Sequence, residues 1–139
     1  MGKTMIFIDS NIWCYFFDES SKEHGKASNF IQKILDREEI AINTVIIIEI
    51  SHFLVKNLGP LNGRKKIEIF LEFPLLVEDL NYSYVKDSIE LLCQYSHAGI
   101  GGRDATILAA MKKLGIKRIA THDISFKNVE WVEAIDPLK

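Results

Sequence analysis

Four carboxylates stand out by their settings: Asp9, Glu49, Asp104 and Asp123. Asp9 closes Met5-Ile6-Phe7-Ile8, an apolar run that reads as a buried strand, and Ser10 and Asn11 follow it. Asp123 comes just after a second apolar stretch, in Ala120-Thr121-His122-Asp123. Asp104 follows Gly101-Gly102-Arg103 and opens an alanine-rich helical segment. Glu49 stands three residues after Ile46 and four before Phe53, on the margin of a helix's apolar face. Burying an unpaired carboxylate is costly, so for Glu49 either a basic partner or a metal must compensate. Acids gathered in one crevice raise one another's pKa. An all-oxygen set with open positions suits Mg²⁺ or Mn²⁺. Such ions can generate an attacking hydroxide and stabilise the leaving oxygen of an in-line displacement, the chemistry of phosphodiester hydrolysis.

Each acid also has a plainer reading. An Asp after a strand can cap the next helix, and Asn11 can be a turn residue. Asp104 suits a helix N-terminus, which favours negative charge. Arg103 can pair with Asp104 or reach a phosphate. Glu49 can be an ion-paired residue at a helix edge. Thr121 can cap, or hydrogen-bond a water. His52, His97 and His122 read as surface or packing residues, with His122 nearest to the acids along the chain. It is jointly that the acids point to a site, because strand ends and helix starts of an open α/β sheet meet at one edge.

The elements that would position them follow from periodicity. Met5–Asp9 reads as strand one, and Ile40–Asn43, Leu75–Glu78 and Lys117–Ala120 as further strands. Val129–Val132 is a candidate edge strand. His24–Glu38 is an amphipathic helix, with Ala27, Phe30, Ile31, Ile34 and Leu35 on one face. Thr44 can cap a helix over Val45–Asn57. Leu58-Gly59-Pro60 ends it, and a basic helix over Asn62–Glu72 follows. Ser83–Ser96 is helical, with Val85, Ile89, Leu92 and Cys93 on one face. Asp104–Leu114 is the last helix, with Gly115 as its C′ residue. Trp13, Tyr15, Phe16 and Phe17 read mainly as packing against the first strand, and Asp18–His24 as a polar loop. Strands alternating with helices predict an α/β fold: a parallel sheet of four to five strands flanked by helices on both faces. With no repeat or linker, residues 1–139 form one expected domain.

The 139 residues suffice for a sizeable core. At 47% hydrophobic and 26% charged, the composition is that of a globular protein. A net charge of −2 argues against a long nucleic-acid grip, so any such contact must use local patches. Candidates are Arg64-Lys65-Lys66, Lys112-Lys113 and Lys117-Arg118. The two cysteines, Cys14 and Cys93, lack zinc or CxxC spacing, which fits reduced thiols in a cytosolic protein. No signal-like start and no apolar run of about 20 residues is present, so a cytoplasmic protein with no membrane role is expected.

Taken together, Phe7-Ile8-Asp9-Ser10-Asn11, Ile48-Glu49-Ile50, Gly102-Arg103-Asp104-Ala105 and Ala120-Thr121-His122-Asp123 resemble a PIN domain. Each motif is short, and the resemblance rests on their combination and order over nearly the whole chain. It implies a PIN-like, three-layer α/β fold and a metal-dependent nuclease, usually acting on RNA. Asp9, Glu49, Asp104 and Asp123 match the family's acidic quartet, and Asn11 and Thr121 its supporting polar positions. The resemblance implies that Asp9, Glu49 and Asp104 hold a first Mg²⁺ or Mn²⁺, and that Asp123 completes or shares a second site. It also implies 3′-hydroxyl and 5′-phosphate products. A free-standing chain of this size is similar to VapC-type toxins of prokaryotic toxin–antitoxin pairs. Such toxins are typically homodimers inhibited by a small antitoxin. Two other classes compete. One is a catalytically inactive PIN-like scaffold that binds RNA or a protein partner. The other is a phosphoacceptor receiver domain, which would want adjacent acids after strand one and a lysine after the last strand. Ser10 and Asn11 follow Asp9, and no lysine lies in Thr121–Asp123.

Overall fold

The computed structural model describes residues 4–139. In chain order the elements are β1 (Met5–Ile8), α1 (Ser10–Phe17), α2 (His24–Leu35), β2 (Glu39–Asn43), α3 (Thr44–Leu71), β3 (Leu75–Glu78), α4 (Tyr82–Tyr95), α5 (Gly102–Leu114), β4 (Arg118–Ala120) and β5 (Glu133–Ile135). The five strands form one parallel sheet in the order β3-β2-β1-β4-β5. Ile6, Phe7 and Ile8 are fully buried, as expected of a central parallel strand covered on both faces.

The chain order runs outward from β1 in one direction and then, after β3, restarts on its other side with β4. That reversal lies between β1 and β4, and crevices at such points bind ligands beyond the carboxyl ends of the strands. Register sets what stands there. Ile8 pairs with Ala120, so Asp9 and Thr121 follow side by side, and the Asp9 N–H donates to the Ala120 carbonyl at 2.9 Å. Ala120 in turn pairs with Ile135, which brings Asp136 to the same edge.

α3 is two arms joined by a break. Gly59 has φ 81° and ψ 165°, a region essentially confined to glycine, and Pro60 starts the second arm without needing an N–H partner. The expected stop at Leu58-Gly59-Pro60 therefore stands. The second arm folds back on the first so closely that a Cβ on Gly63 would lie 2.8 Å from the Val55 Cα. By length and composition α3 could cross a membrane. The break leaves each arm short of the roughly 20 residues a span needs. Trp13 and Phe17 of α1 are buried against Phe70 of the second arm, with ring centroids 4.9 and 5.8 Å away in edge-on geometry. The Trp13 Nε1–H also donates to the Ile8 carbonyl at 3.2 Å, which pins α1 to the end of β1.

Four expectations need correction. The edge strand is Glu133–Ile135, three to four residues later than expected; the apolar Val129 and Val132 close a turn instead, with Val132 N–H bonded to the Val129 carbonyl. α2 ends at Leu35, three residues before Glu38. Thr44 does not cap α3. Asn43 does, accepting from the Ile46 N–H at 3.0 Å, while the Thr44 hydroxyl accepts from the Leu80 N–H. The buried face of α4 is Tyr84, Ser88, Leu91 and Tyr95, about one residue out of phase with the expected stripe. Val85, Ile89 and Cys93 face solvent. The Tyr84 hydroxyl donates to Glu78 of β3 at 2.6 Å, a bond from α4 to the sheet that fixes that rotation, and the buried Ser88 hydroxyl is satisfied within the helix by the Tyr84 carbonyl at 2.7 Å.

Candidate active site: an arginine among carboxylates

Asp9 is fully buried, and both of its oxygens are bonded. Its Oδ1 accepts from the Ser10 N–H at 2.7 Å, and its Oδ2 accepts from the Thr121 hydroxyl at 2.7 Å. The capping reading of Asp9 is thus correct, and it accounts for only part of what the carboxylate does. The other contact to Oδ1 comes from Arg103 Nη2, which also donates to the Ser10 hydroxyl at 2.8 Å. Arg103 Nη1 donates to Asp104 Oδ1 at 2.8 Å, and Nε donates to both oxygens of Glu49 at 2.9 Å. One guanidinium thereby bonds three acids from α3, α5 and the end of β1.

Local sequence explains the arrangement. Gly101 and Gly102 begin α5 in open space, so Arg103 and Asp104 occupy its first turn at the sheet edge. The Thr106 hydroxyl donates to the Arg103 carbonyl at 2.7 Å and accepts from the Asn43 amide at 3.3 Å, tying that turn to the end of β2. Glu49 reaches in from the rim of α3, beside the buried Ile46 and Ile50. Its side chain is 35% exposed, as the sequence position implied.

Electrostatics follow from this packing. Burial works against the Arg103 charge. The Asp9 charge and the hydrogen bonds that Arg103 donates to Glu49, Asp9 and Asp104 outweigh it and hold the guanidinium protonated well beyond its ordinary range. Burial pushes the Asp104 carboxyl above its usual value. Arg103 offsets part of that, while Asp123 and Asp9 add to it. Cys14 lies close enough to sense the same acids, its thiol pushed up to about 12 by burial first, then by Glu49 and Asp9.

The fourth acid stands apart. Asp123 caps the short helical turn Ile124–Asn128, with Oδ1 accepting from the Ser125 N–H at 2.9 Å. Its own N–H donates to the Thr121 hydroxyl at 3.0 Å, and its charge reaches Asp104. Asn11 Oδ1 accepts from the His122 N–H at 3.3 Å, a positioning role. Two residues at this edge escaped the sequence reading. Ser10 was visible as a hydroxyl next to Asp9. Asp136 was not, because only the β4–β5 register brings it beside Thr121; its Oδ2 lies 2.8 Å from His122 Nδ1. Of the basic patches, Arg118 bonds Glu38 across the sheet and lies near Glu133, a structural use. Arg64 pairs with Glu68 on an exposed helix face.

As they stand, no three His, Cys, Asp or Glu side chains among the described residues are close enough together to hold a metal ion. The chemistry of the donors nonetheless fits a hard divalent cation: three carboxylates, all oxygen, already gathered around one positive charge. Their spacing is that of the guanidinium's three separate nitrogens.

Comparison with known proteins agrees with this fold. The PIN domain family matches residues 6–132. Ribonuclease VapC2 of Methanocaldococcus jannaschii is 29% identical over 152 aligned positions, covering 98% of this chain and 96% of the relative. Among solved structures, Mycobacterium tuberculosis VapC20, described as a sarcin–ricin loop cleaving toxin, superposes with a TM-score of 0.79 at 22% identity, covering 92% of this chain and 97% of that one. The VapBC2 complex of Rickettsia felis bound to a promoter DNA fragment gives 0.75 at 19%, covering 95% and 98%. The last two likenesses speak to the fold, and the match across residues 6–132 to the family: this chain belongs to the PIN domain family.

Proposed function

We propose that this chain is a divalent-metal-dependent endoribonuclease, the toxin of a toxin–antitoxin pair, working in the cytoplasm as one domain over residues 1–139. The observation that carries the reading is the convergence of Asp9, Glu49 and Asp104 on a single cation at the carboxyl edge of the sheet. Asp9, Glu49 and Asp104 would hold Mg²⁺ or Mn²⁺, and Asp123 would complete the set or share a second ion. When bound, such an ion polarises the phosphodiester and eases deprotonation of the attacking water. The chain's own part is orientation. Ser10 and Thr121 fix both oxygens of Asp9, and Asn43 and Thr106 fix the first turn of α5. RNA as substrate is supported by the archaeal relative, which is named a ribonuclease.

The Rickettsia felis neighbour, crystallised as a VapBC2 complex, supports an antitoxin as partner. A homodimer is supported by apolar side chains left in solvent on α3, with Ile48 69% and Leu61 72% exposed.

One observation favours the second reading, a scaffold that binds RNA or protein without cutting: Arg103 already saturates the acids. Cleavage of structured RNA separates the two. The nuclease reading expects scission with Mn²⁺ or Mg²⁺, loss of it in EDTA, restoration by excess metal, and 5′-phosphate ends. Cleavage undiminished by EDTA contradicts metal dependence. RNA left intact in every metal supports the scaffold.

A further inference from the structure

The three acids are spaced by the atoms of Arg103. Nε, Nη1 and Nη2 each serve a different carboxylate, and Nη2 also holds the Ser10 hydroxyl. The Asp9 side chain is wholly buried and that of Asp104 is 12% exposed, so neither can turn to water for compensation. Without a positive charge among them, three carboxylates in this volume would repel, and a buried one would be left unpaired. A guanidinium suits the task because its planar fork offers several donors at once and it stays charged. The same oxygens that would bind a divalent ion are the ones Arg103 now occupies. A guanidinium and a metal ion cannot both take Asp9 Oδ1, since that oxygen already accepts from the Ser10 N–H and from Arg103.

We infer that Arg103 is the built-in counter-cation of the metal-free site, and that divalent metal binds by displacing it. This rests on the proposed metal site and adds an exchange step to it. Arg103 has room to leave. It is 30% exposed and follows two glycines whose surroundings are open. Metal affinity is then the difference between two cations competing for one set of acids. Arg103 lowers it while stabilising the empty protein.

The test is titration calorimetry with MnCl₂ on wild type and Arg103→Gln, with melting of both in EDTA and at saturating Mn²⁺. The expected result is Mn²⁺ binding tightened at least about tenfold in Arg103→Gln, the worth of one charge-assisted hydrogen bond. The variant also melts lower than wild type in EDTA, and the gap narrows when Mn²⁺ takes the place of the missing charge. Should Arg103→Gln fail to fold, Arg103→Lys is read instead. It keeps the charge without the fork and is expected to bind Mn²⁺ more tightly than wild type. Equal affinities would overturn the exchange and leave the metal site standing. Weaker binding by the variant would overturn it too, making Arg103 a support for the metal. Failure of both proteins to bind at millimolar Mn²⁺ would overturn the exchange together with the metal site.

Discussion

Asp9 and Arg103 show how much chemistry one residue position can carry. Asp9 caps α1, receives the Thr121 hydroxyl from the neighbouring strand and bonds a guanidinium 94 residues away in the chain. The acids themselves were legible in the sequence, because a strand-end Asp and a Glu on a helix margin have recognisable settings. The hub was not. A guanidinium reaching Glu49 across 54 residues and Asp9 across 94 leaves no local periodicity to read. Cys14 offers an independent check on the site's field. Burial and the nearby acids push its thiol up to about 12, so near pH 8 it carries almost no reactive thiolate. Cys93 is exposed on the outer face of α4. Iodoacetamide at pH 8 is expected to modify Cys93 and spare Cys14 in the folded protein, read by peptide mass. Prompt alkylation of Cys14 would mean the thiol is neither buried nor surrounded by negative charge as described.

At the scale of elements, composition punctuated the chain well and faces less well. Gly59-Pro60 breaks α3 because a φ of 81° excludes other residues and proline begins a helix freely. Both signals are local. The face of α4 came out differently because the apolar stripe Val85, Ile89 and Cys93 competes with Tyr84, whose hydroxyl finds its partner Glu78 on β3 only in the folded chain. The edge strand was misplaced for a similar reason: at three residues it carries almost no pattern of its own. The two arms of α3 make a sharper prediction. An added methyl at Gly63 would meet Val55 Cα at 2.8 Å and the Leu54 carbonyl at 2.9 Å, both backbone atoms that cannot rotate aside. Gly63→Ala is expected to lose roughly 1–3 kcal/mol from overpacking, despite the better helix propensity of alanine. Denaturant unfolding measures it. A variant as stable as wild type would show that the arms are not in contact there.

The whole molecule is a device for placing strand ends side by side. The order β3-β2-β1-β4-β5 puts its reversal between β1 and β4, and the register of that pair sets Asp9 against Thr121. α3 and α5 then deliver Glu49 and Asp104 to the same edge, where both meet Arg103. The alternation of strands and helices made the parallel sheet legible. The order of its strands was carried by no single segment. At this scale the exposed α3 side chains predict self-association. Light scattering should give twice the chain mass of 15.9 kDa, and a mass of one chain would contradict the dimer. The central claim, that the acids gathered at Arg103 form a metal-dependent nuclease site, is tested most directly at Asp9. RNA cleavage by Asp9→Asn at saturating Mn²⁺ should fall at least about a hundredfold below wild type while the variant remains folded by thermal melting. Cleavage at the wild-type rate by folded, pure Asp9→Asn would contradict it.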